Sequence, residues 1–282
     1  MKNDIFFRKL QSSFFFLVML VLSLMVFLPL ICILYYVISR GIKAINLDFF
    51  TQIPSHVGDS GGGVLNAIMG SFYMVFLSII IAVPWGLSAG IFLYDAPDDS
   101  RFAYLLRLSV DIIQSIPSIV IGIVAYVWFV MPMQKFSALS GSFALAIMML
   151  PMIVRSTEET LRLIPKTLKE ASLALGVPHY TTLFKIMIPS GVSGILTGGA
   201  LSIGRVVGET APLIFTAFGS PYLVHNILKP MDALPLLIYN CAMSPYESWH
   251  TLAWGASLIL IFFTLCINLL IKIIVKKWEV VL

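Results

Sequence analysis

Charge is scarce in this chain of 282 residues: Asp, Glu, Lys and Arg together make up 11%, against about a quarter in an ordinary soluble domain. That deficit excludes the solvated surface of a globular enzyme and the basic face of a nucleic-acid binder. Cysteine is sparse as well. Cys32, Cys241 and Cys266 are odd in number and lack framework spacing, so neither a disulfide scaffold nor a zinc cluster is expected. His56, His179, His225 and His250 are scattered without metal-ligand spacing, and no metal is assigned. Gly61-Gly62-Gly63 is not followed by Gly-Lys-Ser/Thr, and no GxxxxGK[S/T] occurs elsewhere, so any ATP must be held by another chain. The triglycine reads instead as a flexible hinge. The apolar runs contain no paired aspartates, no Ser–Lys or Ser–His arrangement and no HExxH helix, which removes an intramembrane enzyme.

Apolar residues, in contrast, make up 59% of the chain. They fall into runs long enough to cross about 30 Å of hydrocarbon. Six spans are read at 14–38, 64–94, 108–131, 139–154, 190–218 and 252–275, within a single transmembrane domain over 1–282. The first run is too long for a signal peptide and lacks a small-residue cleavage site, so it is read as a retained span. The fold class is therefore all-α integral membrane. Thirteen of the eighteen Lys and Arg residues fall on one set of alternating connections, four on the other, and Arg205 lies within a span. This bias places both termini and the 155–189 connection in the cytoplasm.

Residues 155–189 carry five of those cations between two apolar runs. Ser156 with Glu159, and Thr167 with Glu170, have the spacing of capping boxes. Pro165 is suited to open a short helix whose apolar face is Leu168, Ala171 and Leu175. Gly176 is suited to a left-handed stop, and Pro178 to restart a piece running toward Ile188. Such a helix–turn–helix is a docking surface rather than a catalytic pocket.

The fifth run holds Arg205 and Glu209 four residues apart, among Gly194, Gly198, Gly204 and Gly208. An ionised side chain in hydrocarbon costs several kcal/mol unless it is paired or wetted, and the glycine spacing suits a close helix–helix interface. Two roles are open to the pair. Arg205 could offer a forked donor to a phosphate-like anion with Glu209 orienting it, or the two could be a structural bridge. Arg155 is likewise open to two roles, an interfacial anchor or a second cation at the inner mouth of an anion route.

Glu170-Ala171-Ser172, Gly176, Ile186 and Ile188-Pro189 resemble the EAA loop of ABC-importer permeases, with Ser172 and Ile188 at its two departures. Gly204-Arg205-Val206-Val207-Gly208-Glu209-Thr210-Ala211-Pro212 resembles the GRAxGETAP segment of the PstA-type family of phosphate-importer permeases. Ile116 to Gly122, Leu150 to Glu159, and Gly61 to Ile68 resemble further segments of that family. The resemblance covers most of 61–218; the first and sixth spans match in hydrophobicity alone. It implies a type I ABC-importer permease fold with six spans and cytoplasmic coupling helices, in the bacterial cytoplasmic (inner) membrane. It implies ATPase coupling through Glu170, Ala171, Ser172, Gly176, Ile186 and Pro189, and a substrate pathway through Arg155, Arg205 and Glu209. The partners implied are a homologous PstC-type permease, a PstB-type ATPase dimer carrying ATP and magnesium, a periplasmic or lipid-anchored phosphate-binding protein, and membrane lipid. The alternatives are an ABC permease for sulfate, molybdate or an amino acid, and a secondary transporter that needs no ATPase.

Overall fold

A computed structural model describes residues 2–55, 62–97 and 99–278. Among them no strand forms. The helices, in chain order, are α1 Lys2–Gly41, α2 Leu47–Thr51, α3 Leu65–Asp95, α4 Arg101–Ser115 and α5 Ser118–Met133. They continue with α6 Ala138–Leu163, α7 Lys166–Ala174, α8 His179–Val207, α9 Ala211–Thr216, α10 Leu234–Ala242 and α11 Glu247–Trp278. Five of these are single helices long and apolar enough to cross a membrane, and the bent pair α4–α5 supplies a sixth crossing if counted as one span.

The centre of the bundle is α3 against α6. Glycine lets these two backbones close up: a Cβ at Gly86 would meet the Ile153 side chain at 2.7 Å, and one at Gly90 the carbonyl oxygen of Val154 at 2.7 Å. Met74, Ala82, Leu145, Met149 and Ile153 fill the space between them, joined by Val206 from α8, Leu213 from α9 and Ala217 just after it. α1 exposes nearly all its apolar surface and touches the bundle around Val37 and Gly41, where a Cβ on the glycine would strike the Trp254 carbonyl at 2.7 Å.

Proline decides where the expected spans break. The third span, expected as one helix over 108–131, is two helices meeting at 107°. Pro117 disfavours helical backbone in the residue before it, and Ile116 is extended at φ −71, ψ 132. The fifth, expected over 190–218, starts earlier at His179 and stops at Val207. Pro212 has no N–H for the carbonyl four residues back, so a continuous helix would lose its bond to Gly208. Elsewhere the missing bond is absorbed by a wider turn: Tyr126–Val130 precedes Pro132, and Leu183–Met187 precedes Pro189. Both are π turns, the local form a helix takes when a ladder bond is lost.

The polar connection 39–63 also differs from expectation. It contains α2, capped by the Asn46 side chain accepting from the Phe49 N–H at 2.7 Å. Gly62 (φ +91) pairs with Pro54, and a Cβ on Gly63 would lie 2.5–2.6 Å from the carbonyls of Gln52, Asp48 and Phe49. These two glycines are packed into the fold rather than acting as a loose hinge; Gly61 lies outside the described residues.

Candidate functional site

The 155–189 connection is organised differently from the spacing-based reading. α6 runs on to Leu163, so Arg155, Ser156 and Glu159 sit inside a helix and Ser156 caps nothing. Likewise Pro165, not Thr167, occupies the cap position of α7. Both capping boxes are thus corrected: packing of α6 carries that helix through the first start signal, and α7 already begins at Lys166, so Thr167 lies inside its first turn. The helical pair itself is present. Gly176 adopts φ +77 after α7, with the Val177 N–H donating back to the Ser172 carbonyl at 3.3 Å. A left-handed residue at this point is where glycine is favoured.

Two contacts fix the pair to each other and to the bundle. Buried Ser172 and Thr182 hydroxyls meet at 2.8 Å, which gives the serine a reason to stand where the EAA pattern has alanine. Asp95, at the end of α3, accepts from Lys169 Nζ at 3.0 Å and lies 2.8 Å from His179 Nε2. One carboxylate therefore ties α7 and the start of α8 to the central helix. Glu170, Ala171 and Gly176 are exposed, as are Leu175, Tyr180 and Phe184. Ile186 is half-buried in the π turn, and Pro189 is exposed on α8.

A polar cavity of about 630 Å³ is lined by Asp111, Gln114, Met152, Arg155, Ser156, Glu159, Thr160 and residues of α8 including Gly198. α6 and α8 approach closely here: a Cβ on Gly198 would fall 1.6 Å from Ser156 Oγ, and one on Gly194 2.5 Å from Thr160. Gly204 faces Asn268 of α11 at ordinary contact distance, and Gly208 meets no other helix, so the close approach is confined to the first two glycines of the expected set.

Arg155 and Arg205 have different surroundings. Arg155 lies within α6, where its Nε donates to Asp111 Oδ1 at 3.0 Å, its Nη2 contacts the same oxygen, and its Nη1 sits 3.5 Å from Glu158 Oε2. The Arg205 side chain is 43% exposed, with Glu209 Oε1 at 3.5 Å and the Met152 sulfur at 3.8 Å. Met152 also lines the cavity, so Arg205 stands at its edge. Glu209 lies beyond the end of α8 rather than on the same helix face as Arg205.

Glu158 was not singled out by sequence as a site residue. Its side chain is 3% exposed and ringed by Arg107 at 2.7 Å, Arg162 at 3.0 Å and Arg155. Arg107 also donates to the Leu93 carbonyl at 2.8 Å. A buried charge is tolerated only when paired, and this one ties α4, α6 and the end of α3 together. The available signal was the excess of arginines on the flanking helices, but their sequence separations do not reveal a common partner.

Residues 82–280 match the family model described as binding-protein-dependent transport system inner membrane component. The chain belongs to that family. Among curated relatives, the phosphate transport system permease protein PstA of Haemophilus influenzae is 40% identical over 241 residues, 86% of this chain and 85% of that one. Its counterpart in Xylella fastidiosa is 43% identical over 233 residues, covering 82% and 81%. A probable PstA of Methanocaldococcus jannaschii is 34% identical over 271 residues, 95% of each chain. Among solved structures, an inward-facing MetNI methionine ABC transporter aligns with TM-score 0.62 at 21% identity, over 77% of this chain and 95% of that one. A bacterial alginate ABC transporter, crystallised with a periplasmic protein bound to an alginate pentasaccharide, aligns at TM-score 0.71 and 13% identity over 96% of each. The fold of this family member is thus the type I ABC-importer permease fold, in a multi-pass inner membrane protein.

Proposed function

We propose that this chain is the transmembrane permease subunit of an ATP-driven inorganic phosphate importer, forming half of the translocation pathway. The observation that carries the substrate is the 40% identity, over 86% of the chain, to a permease named for phosphate transport. The fold alone does not choose the substrate, since methionine and alginate transporters share it.

The route runs along the cavity edge past Arg205, with Arg155 and Glu209 beside it. A guanidinium suits this task because its planar fork matches two oxygens of a phosphate while remaining charged at every physiological pH. Arg205 is the more available of the two arginines, having one long carboxylate contact and a sulfur as its polar neighbours. The helix pair around Gly176 docks on a cytoplasmic ATPase through Glu170 and the apolar side chains beside it. Asp95 and the Ser172–Thr182 contact pass movement of that pair into α3 and α8. ATP and magnesium sit on a PstB-type ATPase dimer, the other half of the pathway is a PstC-type permease, and a phosphate-binding protein delivers the anion. Both termini lie in the cytoplasm, a reading supported by the charge bias. Nucleotide does work here by binding one arrangement of the complex more tightly than the other.

The test is phosphate-dependent ATP hydrolysis and phosphate uptake by the reconstituted complex, comparing the intact chain with Arg205→Ala and Glu170→Ala. Arg205→Ala is expected to abolish phosphate uptake while the complex assembles; Glu170→Ala is expected to weaken ATPase association. Uptake at the intact rate in Arg205→Ala removes that residue from the route, and uptake of sulfate in preference to phosphate overturns the substrate.

A further inference from the structure

We propose that Asp111 is a tethered anion that masks the guanidinium of Arg155 and must be displaced before that arginine can engage a transported oxyanion. The inference rests on reading Arg155 as part of the phosphate route, and it adds to that reading a competitor built into the chain.

The geometry of the pair is the first ground. A guanidinium offers its Nε–Nη2 edge to a carboxylate or phosphate as a fork. In Arg155 both atoms of that edge are directed at Asp111 Oδ1, while Nη1 faces Glu158. The side-on fork that a phosphate would take is thus already occupied. The masking group is also on the open side: the Asp111 side chain is 52% exposed, the Arg155 side chain 26%.

The charge of the cavity is the second ground. Its charged lining is Asp111, Glu159 and Arg155, two acids and one base. A cavity with that balance repels phosphate. Withdrawing Asp111 removes one negative charge and uncovers a positive one in a single movement, so the attraction for an anion appears only when the mask leaves.

The third ground is that the mask sits on a separable limb. Asp111 belongs to α4, which meets α5 at 107° and buries only Ala103 and Val110 among its apolar side chains. Its remaining polar hold on α6 is Arg107 to Glu158. Arg107 and Asp111 are one helical turn apart and so are Glu158 and Arg155, so two ion pairs of opposite sense clamp α4 to α6. A limb held by two ion pairs and one small apolar cluster with Leu93 and Val154 can swing when a competing anion supplies charge of the same sign.

A static structural bridge would hold the same distances, so the experiment must read access to Arg155 rather than stability. The complete importer is placed in lipid nanodiscs without binding protein, and phenylglyoxal, which modifies accessible guanidinium groups, is followed at Arg155 by peptide mass spectrometry. With Asp111→Asn the labelling of Arg155 is expected to rise roughly fivefold, the scale of releasing one half-exposed ion pair. Inorganic phosphate, but not chloride at equal ionic strength, is expected to protect the variant more than the intact chain. Asp111→Glu, which restores the anion, returns labelling toward the intact rate. Asp111→Ser repeats the measurement if the amide fails to assemble. Equal labelling in intact and neutral variants, or no phosphate protection in the variant, overturns the mask. Phosphate uptake by Arg155→Ala separates the two claims. Uptake at the intact rate removes Arg155 from the route and the mask with it. Loss of uptake together with labelling indifferent to Asp111 keeps the route and sinks the mask.

Discussion

Glu158→Gln tests whether one buried carboxylate holds three helices together. The side chain is 3% exposed, with guanidinium nitrogens at 2.7, 3.0 and 3.5 Å. Glutamine keeps the shape but replaces a negative charge by an amide whose N–H₂ group would point at positive neighbours. Breaking a fully buried pair by removing one partner typically costs about 3–5 kcal/mol. Here the loss is tempered, because Arg155 keeps Asp111 and Arg107 keeps the Leu93 carbonyl. A destabilisation of about 2–4 kcal/mol is expected, and at ~2–3 °C per kcal/mol for a chain of this size that lowers the melting temperature by roughly 5–10 °C. Arg162→Gln is the control. Its side chain is 47% exposed, and a pair that open to solvent is worth at most about 1 kcal/mol. The assay is thermal unfolding of the purified complex followed by tryptophan fluorescence in one detergent at one salt concentration. A Glu158→Gln melting point within about 2 °C of intact, or an equal drop in Arg162→Gln, refutes the claim that this carboxylate is the common anchor.

Gly198→Ala is expected to abolish accumulation of the folded complex, because its Cβ would lie 1.6 Å from Ser156 Oγ and 2.2 Å from Ser156 Cβ. Its neighbour Gly199 meets nothing within 4 Å, so Gly199→Ala should leave expression and melting unchanged or raise stability by about 0.5–1 kcal/mol. Asp95→Ala removes the contacts to Lys169 and His179, half-exposed pairs worth no more than about 1 kcal/mol each. It should leave melting nearly intact yet lower phosphate imported per ATP hydrolysed in proteoliposomes; an unchanged ratio rejects Asp95 as the strut. Asp232, in the connection between α9 and α10, has its carboxyl pushed up to about 7 by burial, against the opposing pull of the Ala233 N–H. Between the ordinary carboxylate range and about 7 the folded chain holds a proton that the unfolded chain has lost, so stability falls as pH rises through that window. Asp232→Asn should flatten that slope in melting temperature between pH 5 and 8, and a slope equal to the intact chain's would show that the titrating group is elsewhere.

The membrane character and the helical pair around Gly176 were legible because each rests on a local cause. Long apolar runs read as spans without knowledge of their neighbours, and Gly176 between two proline-marked starts takes the left-handed backbone its position suggests. What was illegible depends on packing. Pro84 and Pro151 lie inside unbroken helices while Pro117 marks a 107° bend, and nothing in the surrounding residue types separates the three. Ser156 and Glu159 have the spacing of a helix start, yet contact with α3 and α8 carries α6 past them to Leu163. Local signals propose boundaries, and burial chooses among them.

The same division explains the charges. Arg205 is conspicuous in sequence because it stands in an apolar run, whereas Arg107 looks like an ordinary residue of a polar connection and Asp111 like an ordinary residue at the start of the expected span over 108–131. Once α4 folds against α6, those ordinary residues become the partners of Arg155 and Glu158. A guanidinium already satisfied by a fixed carboxylate gains little from a passing phosphate, because each new contact replaces an old one of similar strength. A guanidinium with one long contact gains nearly the whole interaction. On that ground the proposed route has Arg205, at 3.5 Å from its acid, meeting the anion first and Arg155 joining when α4 moves. In the proposed route, two arginines that differ this much in freedom would be sequential footholds, which suits passage better than two equal sites that would hold the anion fast.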